Sequence, residues 1–318
     1  MTETVGAEAL GTEADGPERG RVIELARGES RLGLLPELGG SVAYWRVAER
    51  DLLAPQADPN LPAQKGAAVG AYPLVPYSNR IGGAAFSFEG QAFSLAGNFV
   101  GEANSIHGNG WEHVWTVVQS DADRAILLFD HKPEDEARAK EWPFAYRCVQ
   151  SFVLHDNGFD LEILVVNQDA RPQPVGFGVH PFLACSASAT LSFKAGTVWE
   201  NDGRNLPERA VPAEGAWSFA APRVVAGGKI DNCFAGWAGR AELAEPEQGY
   251  AVTIDADPIF RHLVVYAVPG KSFVAVEPAT NMNDAIHHPD VLERGLHVLA
   301  PGERISGVIR FRLEDRRG

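Results

Sequence analysis

Apolar and polar residues alternate with a period of two over several short segments of the chain. In Phe159–Val166 the odd-numbered positions are all apolar, and the first two even-numbered positions are acidic. Near the end of the chain, Ile305–Leu313 alternates in the same way, with Arg310 and Arg312 on the polar face. A period of two is typical of half-buried β-strands.

Two pairs of these segments are joined by short turn sequences. Tyr146–Leu154 leads into Phe159–Val166 through His155–Gly158. Further on, His262–Val268 leads into Ser272–Glu277 through a Pro-Gly pair. Asparagine, glycine and proline favour the backbone conformations of tight turns. The pattern therefore predicts two β-hairpins.

Helical signals are weak, and turn residues are frequent. Asn283–His297 is compatible with one or two helical turns, but Pro289 and Gly295 interrupt it. The chain has 33 glycines and 21 prolines among 318 residues, with no repeat of fixed length. We therefore predict one all-β domain over residues 20–318, built as a large antiparallel β-sandwich, after a disordered acidic leader over residues 1–19.

The charge balance argues against polyanionic partners. The formal net charge is -14 and the isoelectric point is about 5.1. An acidic surface repels nucleic acid and anionic membranes, so we expect neither as a partner. The three cysteines are far apart in sequence, which favours reduced, buried thiols over a disulfide framework or a zinc site.

Targeting signals are not evident in the sequence. The leader has neither a basic start nor an apolar core, so it does not resemble a signal peptide. No apolar run approaches the roughly 20 residues that a membrane-spanning helix needs. We therefore expect a soluble, cytoplasmic protein, and the sequence leaves its oligomeric state open.

The candidate functional residues lie in four segments, in which titratable or amide side chains are next to glycine, proline and aromatic residues. His180 and Glu277 each end an apolar run and precede a proline, which stops a strand and places the side chain at its rim. Taken singly, each residue also fits a structural histidine or a solvated carboxylate. The four segments are Pro76–Ile81, Ser105–Gly108, Gly176–Phe182 and Ala275–Thr280.

In this order the segments resemble the aldose 1-epimerase (galactose mutarotase) family, especially its bacterial members. The resemblance spans roughly residues 21–313, and it implies the supersandwich fold of galactose mutarotases. It is carried by Pro76–Ile81 with Phe86, Phe88 and Gly90, His107-Gly108 with Trp111 and Trp115, Gly178–Phe182, Lys229–Phe234, Glu277-Pro278, and Gly295 with Val298–Glu303.

The resemblance implies a role for each of two catalytic residues. Glu277 would be the base that takes the proton of the anomeric hydroxyl, and His180 would be the acid that protonates the ring oxygen. Opening a hemiacetal needs such a pair, and each proton transfer can contribute roughly 10²–10⁴-fold. No electrons move, so we expect neither a metal nor an organic cofactor. With unperturbed pKa values near 4.3 and 6.5, activity should decline below about pH 5 and above about pH 8.

The resemblance also implies substrate-binding residues. His107 would hydrogen-bond the sugar near the reacting centre, Arg80 and Asp231 would hold other hydroxyls, and Asn79 is a further positioning candidate. Sugars need paired hydrogen bonds to neighbouring hydroxyls, which these side chains can supply. The expected partner is a small-molecule sugar.

Three functions remain open from the sequence. The first is mutarotation of a free aldohexose. The second is mutarotation of a sugar phosphate or an unusual sugar. Arg80 is the only cation within the four candidate segments, so Lys229, Arg261 or Lys271 would have to contribute from outside them. The third is carbohydrate binding without catalysis on the same fold, which would not need both an acid and a base.

A metal site near the end of the chain is also conceivable from residue types. Asp284, His287 and His288 are possible ligands. Adjacent histidines point to different sides of a helix or strand, so joint coordination would need a special loop. We therefore expect no metal there.

Overall fold

The computed structural model describes residues 21–57 and 66–316. Within these ranges the chain is dominated by β-strands, with one short α-helix, α1 (Glu136–Glu141), and 3-10 turns at Gly82–Ala84, Gly110–Glu112, Gly215–Trp217 and Ala285–His287. The predicted leader, residues 1–19, lies outside the described residues. The strands are β1 (Ile23–Arg27), β2 (Ser30–Leu35), β3 (Ser41–Val47), β4 (Arg50–Asp51), β5 (Ala71–Leu74), β6 (Arg80–Ile81), β7 (Ala85–Phe88), β8 (Gln91–Ser94), β9 (Ser105–Ile106), β10 (Thr116–Ser120), β11 (Arg124–His131), β12 (Tyr146–His155), β13 (Gly158–Asn167), β14 (Gln173–Val175), β15 (Gly178–Ala184), β16 (Thr190–Phe193), β17 (Thr197–Asn201), β18 (Pro207–Pro212), β19 (Arg223–Val224), β20 (Ile230–Ala235), β21 (Arg240–Glu245), β22 (Tyr250–Ala256), β23 (His262–Ala267), β24 (Phe273–Ala279), β25 (His297–Leu299) and β26 (Arg304–Asp315).

Two large antiparallel sheets form the body of the described chain. The larger has eleven strands in the order β1-β2-β3-β5-β15-β24-β23-β20-β17-β18, with β4 paired to β3. The other has nine strands in the order β10-β11-β12-β13-β26-β22-β21-β16-β19. Three two-stranded pairs, β14-β25, β6-β9 and β7-β8, accompany them. This confirms the predicted all-β antiparallel architecture.

Aromatic side chains from the two sheets pack against each other in one core. The Trp45 ring on β3, fully buried, lies edge-on to Phe159 on β13, with ring centroids 5.3 Å apart. Phe159 stacks on Phe311 of β26 at 4.6 Å. Burial of large apolar side chains from both inner faces is what holds a sandwich together. The fold is therefore the predicted sandwich.

The predicted hairpins are present. β12 and β13 pair from Tyr146–Asn167 to His155–Gly158, and buried and half-buried residues alternate along both strands. β23 and β24 form the second hairpin, and β26 is the predicted closing strand. The predicted helical turn appears as the short 3-10 segment Ala285–His287.

The helix α1 has no counterpart in the apolar pattern. None of its six residues is buried, so no apolar periodicity marks it. Its start is set instead by Asp135, whose side chain accepts a hydrogen bond from the Arg138 N–H at 2.8 Å. Across the described part of the chain, no helix has the length and apolar character needed to span a bilayer. The three cysteines are buried and free, as predicted.

Candidate active site

One face of the eleven-stranded sheet carries polar and aromatic side chains across five neighbouring strands. Tyr72 on β5 pairs with His180 on β15, and the register of β15 with β24 brings His180 opposite Glu277. Glu277 in turn pairs with the residue two positions before Tyr266 on β23. Tyr266 pairs with Asp231 on β20. Opposed residues, and residues two apart on a strand, share a face, so all five side chains point to the same side.

His180 and Glu277 form a buried pair at the centre of this row. Nε2 of His180 lies 3.3 Å from Oε1 of Glu277, and the two side chains are 9% and 2% exposed. The imidazole stacks on Tyr72 with ring centroids 4.7 Å apart and planes 17° apart, and its centroid lies 4.5 Å from that of the Phe182 ring. The ring orientation is thus set by aromatic contacts as well as by the carboxylate.

Burial shifts the pKa of each member of the pair in the direction that favours its neutral form. Removal from water lowers the pKa of His180 to about 3. Burial, followed by the charge of Asp231, raises the pKa of Glu277 well above its usual value, while Arg80 opposes this. Oε2 of Glu277 and Nδ1 of His180 are buried with no hydrogen-bond partner among the described residues. Each side chain of the pair therefore keeps one unused hydrogen-bonding atom.

The segments that contain Asn79 and His107 are joined by reciprocal hydrogen bonds. Both residues have positive φ, 60° and 62°, and they flank the short pair β6-β9. The His107 N–H donates to the Asn79 carbonyl at 2.8 Å, and the Asn79 N–H donates to Nδ1 of His107 at 3.1 Å. Burial first, then the charges of His180 and Arg80, hold the pKa of His107 well below its usual value.

Arg80 lies between two acidic side chains. Its Nε and Nη2 donate to Oε1 of Glu102 at 3.2 and 2.9 Å, and its Nη1 is 3.8 Å from Oδ2 of Asp231. Nη1 also donates to Oδ1 of Asn79 at 3.3 Å. Burial raises the pKa of Asp231, Glu102 adds to this, and Arg80 opposes it. Arg80 therefore links the loop residues to the strand β20.

All six residues singled out in the sequence line one cleft of about 100 Å³. The set is Asn79, Arg80, His107, His180, Asp231 and Glu277. Sequence reasoning missed the apolar and aromatic side chains that complete the lining, Tyr72, Phe99, Ile106, Phe182 and Tyr266. Ile106 and Phe182 lie within two of the candidate segments, and Tyr72 lies on the strand just before Pro76–Ile81, so these three could have been found. The other two, Phe99 and Tyr266, carry no local signal.

Two amide side chains, also missed, hold the loops that carry the site. Oδ1 of Asn281 accepts the Ser78 N–H at 3.1 Å, and its Nδ2 donates to the Ser78 carbonyl at 3.1 Å. Oδ1 of Asn98 accepts the Ile106 N–H at 2.9 Å, and its Nδ2 lies 2.8 and 2.9 Å from the carbonyls of Ile106 and Gly108. These amides fix backbone next to Asn79 and His107.

Two of the three residues considered as metal ligands contact each other. Oδ1 of Asp284 accepts the Gly82 N–H at 2.8 Å and lies 2.7 Å from Nδ1 of His287. This contact raises the pKa of His287. The pair thus ties the 3-10 segment that follows Asp284 to the segment after β6.

Chemically, the cleft combines an acid–base pair with hydrogen-bonding side chains and aromatic walls. The pair can exchange protons with two neighbouring oxygens, while Arg80, Asp231 and His107 supply donors and acceptors around them. Aromatic rings suit the apolar face of a small cyclic molecule. The arrangement fits a polyhydroxylated ring.

Comparison with known proteins gives one consistent result. The Escherichia coli K12 protein YphB, which is uncharacterized, is 25% identical over 301 residues, covering 92% of this chain and 99% of YphB. The solved structure of a proposed aldose 1-epimerase from Escherichia coli K12 is 26% identical with a TM-score of 0.82, covering 93% of this chain and 99% of that one. A galactose mutarotase-like protein from Clostridium acetobutylicum shares the fold, with a TM-score of 0.81 at 22% identity, covering 92% and 95%.

The family assignment rests on the sequence as well as the fold. The family model described as aldose 1-epimerase matches residues 21–312, which is most of the chain. Family and fold together support a mutarotase-type function on a sugar. The chain therefore belongs to the aldose 1-epimerase family.

Proposed function

We propose that the protein is a mutarotase that interconverts the α and β anomers of a free aldohexose by opening and reclosing the sugar ring. The observation that carries the proposal is the buried pair of His180 Nε2 and Glu277 Oε1, 3.3 Å apart on adjacent strands of the cleft. Ring opening needs a base at the anomeric hydroxyl and an acid at the neighbouring ring oxygen. One carboxylate and one imidazole at this separation meet that need.

The proton balance of the reaction follows from these two side chains. Glu277 takes the proton from O1 while His180 delivers one from Nε2 to O5, so the C1–O5 bond breaks and the C1=O1 aldehyde forms. Rotation about C1–C2 presents the other face of the aldehyde. The hydroxyl at O5 then attacks C1, His180 takes its proton back, and Glu277 returns its proton to O1. No electrons are transferred, so we propose that the reaction needs neither a metal nor an organic cofactor.

The environment of the pair favours this transfer. Burial raises the pKa of Glu277 and lowers that of His180, which makes the Glu277 carboxylate a stronger base and the His180 imidazolium a stronger acid. Transfer to and from the sugar converts both to neutral forms, which a buried site stabilises. The cost is that the charged arrangement is a minor form before the sugar binds.

The other predicted residues are proposed to orient the sugar. His107, whose Nδ1 accepts the Asn79 N–H, carries its proton on Nε2 and can donate to a sugar oxygen. Arg80 and Asp231 face each other across 3.8 Å and can share vicinal hydroxyls as donor and acceptor. Asn79 contributes mainly by holding Arg80 and His107 in place.

The proposal is tested by following freshly dissolved α-D-glucose and α-D-galactose by polarimetry or NMR with the purified protein. We expect faster anomer equilibration that EDTA does not change. Glu277→Gln and His180→Asn should each abolish the acceleration. Glu29→Gln and His155→Asn are matched controls, since one is exposed on the β1–β2 turn and the other is half-exposed on the nine-stranded sheet.

Three results would oppose the proposal in different ways. Full activity in both pair variants would remove His180 and Glu277 from the chemistry. Loss of activity with EDTA, restored by a divalent metal, would contradict cofactor independence. Sugar binding by the folded protein without faster equilibration would favour a carbohydrate-binding protein instead of an enzyme.

A further inference from the structure

Arg80 is the only permanently cationic side chain among the described residues that line the cleft. The three basic residues that could have contributed from elsewhere, Lys229, Arg261 and Lys271, do not line it. Both histidines of the lining have pKa values lowered by burial, so neither adds a positive charge near neutral pH. Any positive charge that these residues offer to an anionic ligand near neutral pH therefore comes from Arg80.

Glu102 binds this guanidinium on the edge formed by Nε and Nη2. Oε1 of Glu102 accepts from Nε at 3.2 Å and from Nη2 at 2.9 Å, and Oε2 accepts from Nδ2 of Asn104 at 3.1 Å. The side chains of Arg80 and Glu102 are 10% and 16% exposed, so water screens the contact little. Glu102 is not itself part of the cleft lining.

The acidic groups around Arg80 outnumber its single charge. Glu102 and Asp231 flank the guanidinium, and Glu277 lies in the same cleft. Two carboxyl groups thus flank one cation. A phosphate or carboxylate on a sugar would meet a cation whose charge is already offset, and like charges placed close together are disfavoured.

We propose that Glu102 is a positioning and specificity-determining residue that aims Nη1 of Arg80 into the cleft and cancels its charge, so that the site accepts neutral aldoses and rejects anionic sugars. This inference rests on the proposed function, because it names the substrate class of the same site. Glu102 acts through Arg80 and does not touch the sugar. Among the functions left open by the sequence, it disfavours a sugar-phosphate substrate.

The test compares D-galactose with D-galacturonate, which carries a carboxylate at C6. Dissociation constants are measured by calorimetry or ligand-observed NMR for the wild type, Glu102→Gln, Glu102→Asp and the exposed control Glu29→Gln. We expect the wild type to bind galactose at least about tenfold more tightly than galacturonate, the size of effect expected from one charged contact. Glu102→Gln should narrow that ratio, whereas Glu102→Asp and Glu29→Gln should keep it.

Galactose turnover in the same samples separates this inference from the proposed function. Glu102→Gln should raise KM about tenfold with kcat nearly unchanged, because the hydrogen bonds that orient a binding group lose their charge while the acid–base pair remains. If the wild type turns over galactose but binds galactose and galacturonate equally, this inference is overturned and the proposed function stands. Absence of turnover would count against the function itself.

A second measurement covers the case in which Glu102→Gln does not fold. It compares galacturonate with D-galacturonamide, which has nearly the same shape but carries no charge at C6, on the wild type. Galacturonamide should bind nearly as tightly as galactose, because it is the charge that the cleft disfavours. Galacturonamide that binds as weakly as galacturonate would indicate steric selection at C6 and overturn the inference.

Discussion

The backbone N–H of Asn79 donates to Nδ1 of His107 across 3.1 Å, and the His107 N–H returns a 2.8 Å bond to the Asn79 carbonyl. An imidazole nitrogen that accepts a hydrogen bond carries no proton, so the proton of neutral His107 resides on Nε2. Burial lowers the pKa of this side chain and keeps it neutral. His107 therefore offers the cleft a hydrogen-bond donor of fixed tautomer.

From this geometry we predict that His107→Asn weakens sugar binding more than it slows chemistry. Asparagine tolerates the positive φ of this position but is too short to replace the Nε2–H donor. Loss of one buried hydrogen bond to the sugar should raise KM by about tenfold, with kcat reduced less. Anomer exchange measured by NMR over a range of galactose concentrations separates the two constants. A collapse of kcat at unchanged KM would instead make His107 part of the proton transfer.

The pH dependence of kcat/KM should report the His180–Glu277 pair as a unit. The active pair carries one proton, so the rate is lost when the pair gains a second proton or loses its only one. The pKa of His180 is lowered to about 3, so the second proton binds only in strong acid. The pKa of Glu277 is raised, so the pair loses its remaining proton only at a pH above the usual pKa range of a glutamate.

These pKa shifts determine how activity is lost at the acid and alkaline ends of the pH profile. As pH falls towards 3, His180 becomes charged and activity is lost; as pH rises through the raised pKa of Glu277, the pair is emptied and activity is lost again. The acid limb should therefore lie below the value of about pH 5 expected from unperturbed groups. Initial rates in overlapping buffers, with circular dichroism to exclude unfolding, provide the measurement. A flat profile from about pH 4 to about pH 10 would contradict the assignment of this pair.

The sequence predicts those parts of the fold that are encoded locally. The alternation along β13 and the turn residues before it identify the β12–β13 hairpin, because one face of each strand is buried and the other is not. His180 and Glu277 could be singled out because each ends an apolar run before a proline. That these two residues become neighbours depends on the register of β15 with β24, which no local pattern specifies.

The remaining features of the site depend on tertiary contacts. Nothing in the sequence distinguishes Glu102 from an ordinary acidic loop residue. Its contact with Arg80, 22 positions earlier, is formed only in the folded chain. The pKa shifts of the pair come from burial between strands that are far apart in sequence. For this reason the pH range expected from unperturbed values needs revision, although the residues themselves lie together in one cleft.

A third prediction concerns Asn98, which supports the His107 loop. Asn98→Ala leaves the Ile106 N–H and carbonyl without this partner, whereas the Gly108 carbonyl still accepts from Nε1 of Trp111 at 3.1 Å. Each buried, unsatisfied polar group costs about 1–3 kcal/mol. We expect a loss of roughly 2–4 kcal/mol in the free energy of unfolding, measured with urea, and a raised KM. Asn157→Ala is the control, because its amide makes a single 3.2 Å bond from an exposed turn. Equal stability losses in the two variants would contradict a special role for Asn98.

The last prediction concerns the contact between Gly176 and Asn281. A Cβ placed on Gly176 would lie 2.1 Å from Oδ1 of Asn281, the atom that accepts the Ser78 N–H. Gly176→Ala must therefore displace the amide and break its bonds to Ser78. Overpacking and the loss of a buried polar contact together should cost about 2–4 kcal/mol of unfolding free energy. Asn281→Ala should cost a similar amount, because it leaves the Ser78 N–H and carbonyl unpaired.

A double-mutant cycle distinguishes this mechanism from two independent losses. Once Asn281 is alanine, the atom that collides with the new Cβ is gone and the bonds to Ser78 are already broken. Gly176→Ala should then cost much less than it does alone, which gives a coupling energy of about 1–3 kcal/mol from urea unfolding of the four proteins. Additive losses would show that Gly176 is required for a reason other than its contact with Asn281. Because Ser78 immediately precedes Asn79, strong coupling should be matched by a shared rise in KM, whereas additive losses should leave the sugar affinity of the two single variants unrelated.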